Sequence, residues 1–97
     1  MFIHAVLFEI SPGQQRLYRK DCRMWASFAR RAKGFISYYT VKRTDYKNQF
    51  ASIYKWKTQQ AHERFMKKLH DWLVSKSRAK VKVLGYYNVK SIDEVTG

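Results

Sequence analysis

The sequence has one cysteine, one proline and four glycines, and only 7 Asp+Glu against 20 Lys+Arg in 97 residues. A lone thiol, Cys22, excludes an internal disulfide framework and any multi-thiolate zinc site, and it suits a reducing compartment. No run approaches the ~20 apolar residues that a membrane span needs. The apolar stretch from Phe2 to Leu7 has no basic segment before it and closes at Glu9, so it does not read as a signal peptide. The expectation is a cytoplasmic protein with no membrane partner. Disorder is also excluded, because aromatics make up 16% and apolar residues 45% of the chain, whereas unfolded chains are poor in both. The length allows one domain, burying about 65% of the surface its unfolded form would expose.

What is present in excess is positive charge, a formal +13. It invites nucleic acid or another polyanion as partner. Its distribution tempers that reading. Arg16, Arg19, Lys20, Arg23, Arg64, Lys67 and Lys68 fall on the outer faces of two expected helices, and only Lys76, Arg78, Lys80 and Lys82 cluster. A solvated helix face is the common meaning of such residues.

Phe2, His4, Val6, Phe8 and Ile10 alternate with Ile3, Ala5, Leu7 and Glu9, which predicts a central strand ended by Ser11-Pro12-Gly13. Gln14 to Lys33 reads as a helix with a stripe of Tyr18, Cys22, Trp25, Ala29 and Ala32, capped at Gly34. Phe35 to Arg43 and Phe50 to Trp56 read as strands of one hairpin. Thr58 caps a second helix to about Ser75, with Ala61, Phe65, Leu69, Trp72 and Leu73 as its buried stripe. Val81 to Val89 is the last strand. Residues 1–90 thus form the domain, and 91–97 a polar tail. The order β-α-β-β-α-β is the α+β, ferredoxin-like unit: a four-stranded antiparallel sheet with two helices on one face. Large residues occur on both sides of the strands, including Phe8, Tyr38, Tyr39, Tyr54, Trp56, Tyr86 and Tyr87. The face that the helices leave open is expected to meet another sheet, a ligand or nucleic-acid bases.

Three segments resemble the antibiotic biosynthesis monooxygenase family of dimeric α+β barrels. They are Phe8-Glu9-Ile10-Ser11-Pro12-Gly13, Gly34-Phe35-Ile36-Ser37-Tyr38, and Ile53 to His62 followed by Phe65 and His70. The last is similar to the family's strand, "W-E-S" corner and second helix, with Trp56-Lys57-Thr58 at the corner. The resemblance implies a homodimer whose sheets pack face to face. It also implies an oxygenase acting on a small phenol- or quinol-like substrate with O₂, with no cofactor expected. The haem-degrading branch uses Asn, Trp and His at positions matching Val6, Phe65 and the neighbourhood of Ser75, and none of these carries the required side chain. Of the Asn, Trp and Tyr of the cofactor-independent polyketide oxygenases, only Trp56 has a match.

The candidate catalytic residues are His70, a proton acceptor at ordinary imidazole basicity, and Trp56. The candidate substrate-binding residues are His4, Tyr38, Tyr54, Phe65 and Trp72, which would line a pocket for a flat ring. His4 is either a cavity residue or a hydrogen-bonded core histidine. Tyr38 and Tyr39 alternate, so at most one reaches the cavity. His62 is expected to be exposed near the helix start, and Cys22 to be a buried structural thiol. No metal site is expected. Two alternatives stand beside the enzyme. One is a non-catalytic barrel of the same fold. The other is a basic RNA-binding module of the same element order, in which Lys33-Gly34-Phe35 matches the opening of the RNP signature while Ile36 and Ser37 depart from it.

Overall fold

The computed structural model describes all 97 residues. β1 (Phe2–Glu9) leads through a short 3-10 turn (Pro12–Gln14) into α1 (Gln15–Ala29). β2 (Phe35–Lys42) and β3 (Gln49–Trp56) form the hairpin, followed by α2 (Gln59–Lys76) and β4 (Lys82–Lys90). All pairings are antiparallel, in the order β2-β3-β1-β4. The expected ferredoxin-like order is therefore observed, with β1 an inner strand. No helix is long and apolar enough to cross a membrane.

Local chemistry explains the boundaries. Thr58 is extended, and its hydroxyl accepts from Ala61 N at 3.1 Å, satisfying one of the free amides at the start of α2. In the hairpin loop Asn48 takes a left-handed conformation, φ 61°, a region that asparagine enters readily. α1 ends at Ala29, short of the expected Lys33, and the chain reaches β2 through turns that finish at Gly34.

Gly34 has φ +88°, and a Cβ built there would stand 2.6 Å from the Ala61 Cβ. Its carbonyl accepts from Lys57 N at 2.7 Å, so the backbone is clamped under the start of α2. Gly34→Ala is expected to cost about 1–3 kcal/mol from backbone strain alone, read as a lower urea midpoint at unchanged slope.

Register decides which side chains share a face. His4 lies opposite Tyr54 on one side and Asn88 on the other, and Tyr38 lies opposite Tyr54. One row across the sheet therefore reads Asn88, His4, Tyr54, Tyr38. The next reads Tyr86, Val6, Ser52, Thr40. Both rows lie on the helix-covered face. The register shifts between Phe35 and Ser37 and again where β4 passes Leu7 and Phe8. Each shift reverses the alternation of its strand. Phe8, Tyr54 and Trp56, on the unbroken β1–β3 pair, and Tyr38 and Tyr86, through the shifts, are on the helix side, where Tyr86 at its edge is 65% exposed, and Tyr39 and Tyr87 occupy the open face. The middle of that face is otherwise aliphatic, with Ile3, Ala5, Leu7, Val41, Ala51, Ile53 and Val89, and polar residues border it: Ser37 and Lys55 at one end, Glu9, Gln49 and Lys82 at the other.

The core is divided. One cluster joins Phe2, Ala29, Tyr54, Trp56, Ala61, Phe65 and Leu73. A second joins Ile10, Tyr18, Cys22 and Phe50. Between them the sheet presents the smaller Val6 and Ser52, and α1 presents Cys22 and Trp25.

Candidate functional site

The gap between the two clusters is a cavity of about 470 Å³, enclosed by the sheet, both helices and the segment joining α2 to β4. It lies under the helices of one chain, on the face opposite the open side of the sheet. Its walls are largely apolar, with Val6, Phe8, Tyr54, Trp56 and Phe65 among them, and all three histidines of the chain reach it. A volume of this size and lining is typical of sites for small organic ligands.

The sequence-derived candidates divide on inspection. Trp56, His70, His4, Tyr54 and Phe65 line this one cavity. Trp56 is fully buried, its ring 5.3 Å from Phe65 and 5.6 Å from Phe35, and its Nε1 has no hydrogen-bond partner. Tyr38 stands one strand back, behind Tyr54. Its ring is 4.6 Å from Tyr54, and its hydroxyl donates to Ser52 Oγ at 3.1 Å. It supports the wall and does not line it.

Trp72 is a correction. It is 45% exposed, edge-on to Phe28 at 5.2 Å, with the Lys76 ammonium 5.9 Å from its ring. It lies on the margin of α2 that faces α1, where it covers Phe28 and turns away from the cavity.

His62 is the second correction. It is 9% exposed, its ring 4.4 Å from His4, 5.2 Å from Phe2 and 6.1 Å from Trp56. The Thr58 cap sets the phase of α2 so that His62 and Met66 flank the Ala61–Phe65–Leu73 stripe on its cavity side. Widening that stripe by one position would have revealed it in the sequence.

His4 answers to both of its expected roles. Its Nδ1 donates to Asn88 Oδ1 at 2.7 Å, since a carboxamide oxygen can only accept, and its ring lines the cavity. Burial lowers its pKa, with the Asn88 hydrogen bond acting in the opposite direction. Burial, then the neighbouring His4, brings His62 down from 6.5 to about 4. Both rings are therefore neutral near pH 7.

The unfolded chain binds protons near 6.5 while folded His62 resists them to about 4, so acid favours unfolding across that window. The melting temperature is expected to fall as pH drops from 6.5 toward 4. His62→Gln should flatten that slope, which differential scanning calorimetry at stepped pH would show.

A polar cluster occupies the middle of the cavity. Ser52 Oγ lies 2.7 Å from the Tyr18 hydroxyl and 3.7 Å from Cys22 Sγ. Burial raises the pKa of Tyr18, Tyr38 and Tyr54, so these hydroxyls remain neutral hydrogen-bonding groups. At the rim, His70 has a side chain 44% exposed, with Nδ1 3.0 Å from the Asp71 carboxylate. The segment after α2 is pinned to α1 across the rim. Asp21 accepts from Arg78 N and Ala79 N, Gln14 accepts from Lys80 N, and Trp25 Nε1 donates to Ser77 Oγ at 2.9 Å.

Fold and cavity together define a ferredoxin-like α+β domain with a largely apolar cavity between its sheet and its helices. The sequence profile of the antibiotic biosynthesis monooxygenase family matches residues 1–70, and the chain belongs to that family. Comparison with curated protein sequences gives no match. Among solved structures it is similar to a mutant form of SnoaB, a cofactor-independent oxygenase from Streptomyces nogalater. That pair shows 14% identity over 99% of this chain and 97% of that one, with a TM-score of 0.81. It is also similar to a mutant of MhuD with two manganese protoporphyrin IX molecules bound per active site, at 13% identity over 100% of both chains and a TM-score of 0.79. Rv0793 from Mycobacterium tuberculosis gives 13% identity, 98% of each chain and a TM-score of 0.75. At these identities the likeness establishes the fold.

The porphyrin-bound neighbour raises the question of fit. Val6 is buried on the cavity wall, Phe65 packs on Trp56, and the Ser75 hydroxyl is exposed and donates to Trp72 O. None of these is the Asn, Trp or His that the resemblance to the haem-degrading branch implied at those positions.

Proposed function

We propose that the protein is a cofactor-independent monooxygenase acting on a small aromatic substrate, a phenol, quinol or anthrone, in the cavity of each subunit of a homodimer. The observation that carries this reading is the largely apolar cavity between sheet and helices, in which the chain's three histidines meet the Trp56, Tyr54 and Phe65 rings. Family membership and the oxygenase among the similar folds support it.

In this reading the rings hold the substrate flat and exclude water, and a substrate hydroxyl (in an anthrone, an enolisable C–H) loses a proton. The resulting electron-rich anion reduces O₂. For an anthrone, the ring CH₂ becomes C=O, taking one oxygen atom, and its two hydrogens leave with the other as water. Trp56 packs against the substrate ring. His70, half-exposed beside Asp71, is where the proton leaves the cavity for solvent. The open sheet face of Ile3, Leu7, Tyr39, Ile53, Tyr87 and Val89 is the surface on which the second subunit docks.

The test is oxygen uptake with a panel of quinols and anthrones. Wild type should consume O₂ with at least one of them, and Trp56→Phe should be slower by about 100-fold, as expected when a positioning ring is reshaped. No uptake on any substrate would overturn the enzymatic reading in favour of a non-catalytic barrel.

The exposed cations Lys76, Arg78, Lys80 and Lys82 favour a second reading, a nucleic-acid-binding module. Against it, stacking needs exposed sheet aromatics, and four of the seven, Phe8, Tyr38, Tyr54 and Trp56, are covered by the helices.

A further inference from the structure

We propose that His4 and His62 together form the group that receives the substrate's hydroxyl and accepts its proton. The proposal rests on the cavity-as-substrate-site reading above and names the chemistry at its polar end.

The geometry is specific. The two rings stack at 4.4 Å with an interplanar angle of 32°, and both face the cavity beside Trp56. Asn88 occupies His4 Nδ1 as a hydrogen-bond acceptor, which fixes the proton on Nδ1 and leaves the Nε2 lone pair. His62 makes no hydrogen bond that would occupy its own ring. The other titratable groups that face the pair are Tyr54 from β3, Tyr86 from β4 and His70 from α2. Burial raises the pKa of Tyr54 and keeps it protonated, and neither ring touches a carboxylate. The cavity's one acid, Asp21, is engaged with the Arg78 and Ala79 amides on the rim. The pair therefore sits in the cavity as two uncharged bases with no resident acid.

A buried imidazole alone is a poor acceptor, because its cation would be desolvated and close to a second ring. A bound phenol changes both terms. Its O–H bond breaks, the N–H bond forms on imidazole, and the electron pair stays on the phenolate oxygen beside the new cation. An opposite charge at that distance favours the ionised form of each partner by about 1–3 pH units. The pair thus does nothing until a hydroxylated ring arrives, and then ionises with it. Asn88 acts as a positioning residue, holding His4 in the receptive tautomer.

Alizarin, a hydroxylated anthraquinone whose colour reports its ionisation, is a probe that needs no turnover. Bound to wild type, its ionisation midpoint should fall by about 1–3 pH units relative to free dye. His62→Gln and His4→Gln, which keep the neutral-state charge, should bind it with most of that shift lost, while His70→Gln retains the shift. Asn88→Ala should move the proton between the His4 ring nitrogens, visible in ¹⁵N NMR of the imidazoles, and shrink the dye shift. This variant on an exposed strand keeps the proposal testable should either histidine variant fail to fold. Dye that binds wild type without a shift, or a shift that survives loss of both histidines, overturns the proton-acceptor proposal and leaves the cavity reading intact. Failure of folded wild type to bind the dye at all counts against the aromatic-substrate reading and the proposal with it.

Discussion

Leu7→Asp is expected to convert the proposed homodimer into monomers. Leu7 stands near the middle of the open sheet face, flanked by Ala51 on β3 and Gly85 on β4. These small neighbours make it the place where a second sheet can approach most closely. Around it Tyr39, Tyr87 and Val89 are each about half-exposed in the isolated chain, at 49%, 54% and 52%. Contiguous apolar area of this kind on a small domain marks an interaction surface. Two-fold symmetry would place each substituted residue in the interface twice. Burying an unpaired carboxylate costs several kcal/mol, and every 1.4 kcal/mol is tenfold in affinity. The dimer dissociation constant should therefore rise by about 100-fold or more. Sedimentation velocity at micromolar concentration reads the change, with circular dichroism confirming that the subunit stays folded. A wild-type monomer at both low and high salt would sink the face-to-face arrangement.

Trp56→Ala should have the largest effect on the subunit itself. Trp56 is 0% exposed, pairs with Phe2 and Phe35 across the sheet and joins the ring cluster of Phe35, Phe65 and His62. Truncating a large aromatic in such a place costs about 3–5 kcal/mol, a large share of the 5–15 kcal/mol that holds an ordinary domain together. Trp56→Phe should cost much less. It keeps a ring and removes an indole N–H that has no partner, and an unsatisfied buried donor is itself destabilising. Urea titrations of the two variants separate the packing of the ring from its polar edge. Equal losses would show that the indole N–H is satisfied in solution.

The element order was legible in the residues because its punctuation is strong. Ser11-Pro12-Gly13, Gly34, Asn48 and Thr58 each sit at a boundary, and each has a backbone reason to be there. The stripe of α1 was legible too, since Tyr18, Cys22 and Ala29 are buried as spaced. What the residues hid was parity. A strand's alternation says which side chains oppose one another, and a single bulge reverses the answer downstream of it. The shift beside Phe35 is what sends Tyr38 toward the helices, and the shift in β4 puts Val83 on the same side as Tyr86. The seven aromatics expected on both sides of the strands thus divide unevenly, with Tyr39 and Tyr87 alone on the open face.

Helical phase hid the rest. Trp72 and His62 both border the stripe of α2, and hydropathy favours the tryptophan for the interior. The margin toward α1 is satisfied by Phe28, whereas the margin toward β1 faces the cavity, and there a polar ring stacked on His4 is tolerated. Of the residues chosen for the site, Trp56, His4, Tyr54, Phe65 and His70 come together on one cavity. Ser52 and Asn88 owe their places to strand register, which no local pattern announces, and His62 lies one position beyond the stripe of α2.

The divided core has a consequence for how such a subunit changes over generations. Val6, Ser52, Val74, Val81 and Val83 shape the cavity yet belong to neither packing cluster. Substitutions there alter the outline of the space while Trp56, Leu73 and Ile10 go on holding the fold. Trp56, Tyr54 and Phe65 serve both the fold and the cavity, whereas these smaller residues shape the cavity alone, so a new ligand can be accommodated in small steps without passing through an unfolded ancestor. The same separation leaves sequences of one architecture free to drift far apart, and low identity between similar folds is what this layout would produce.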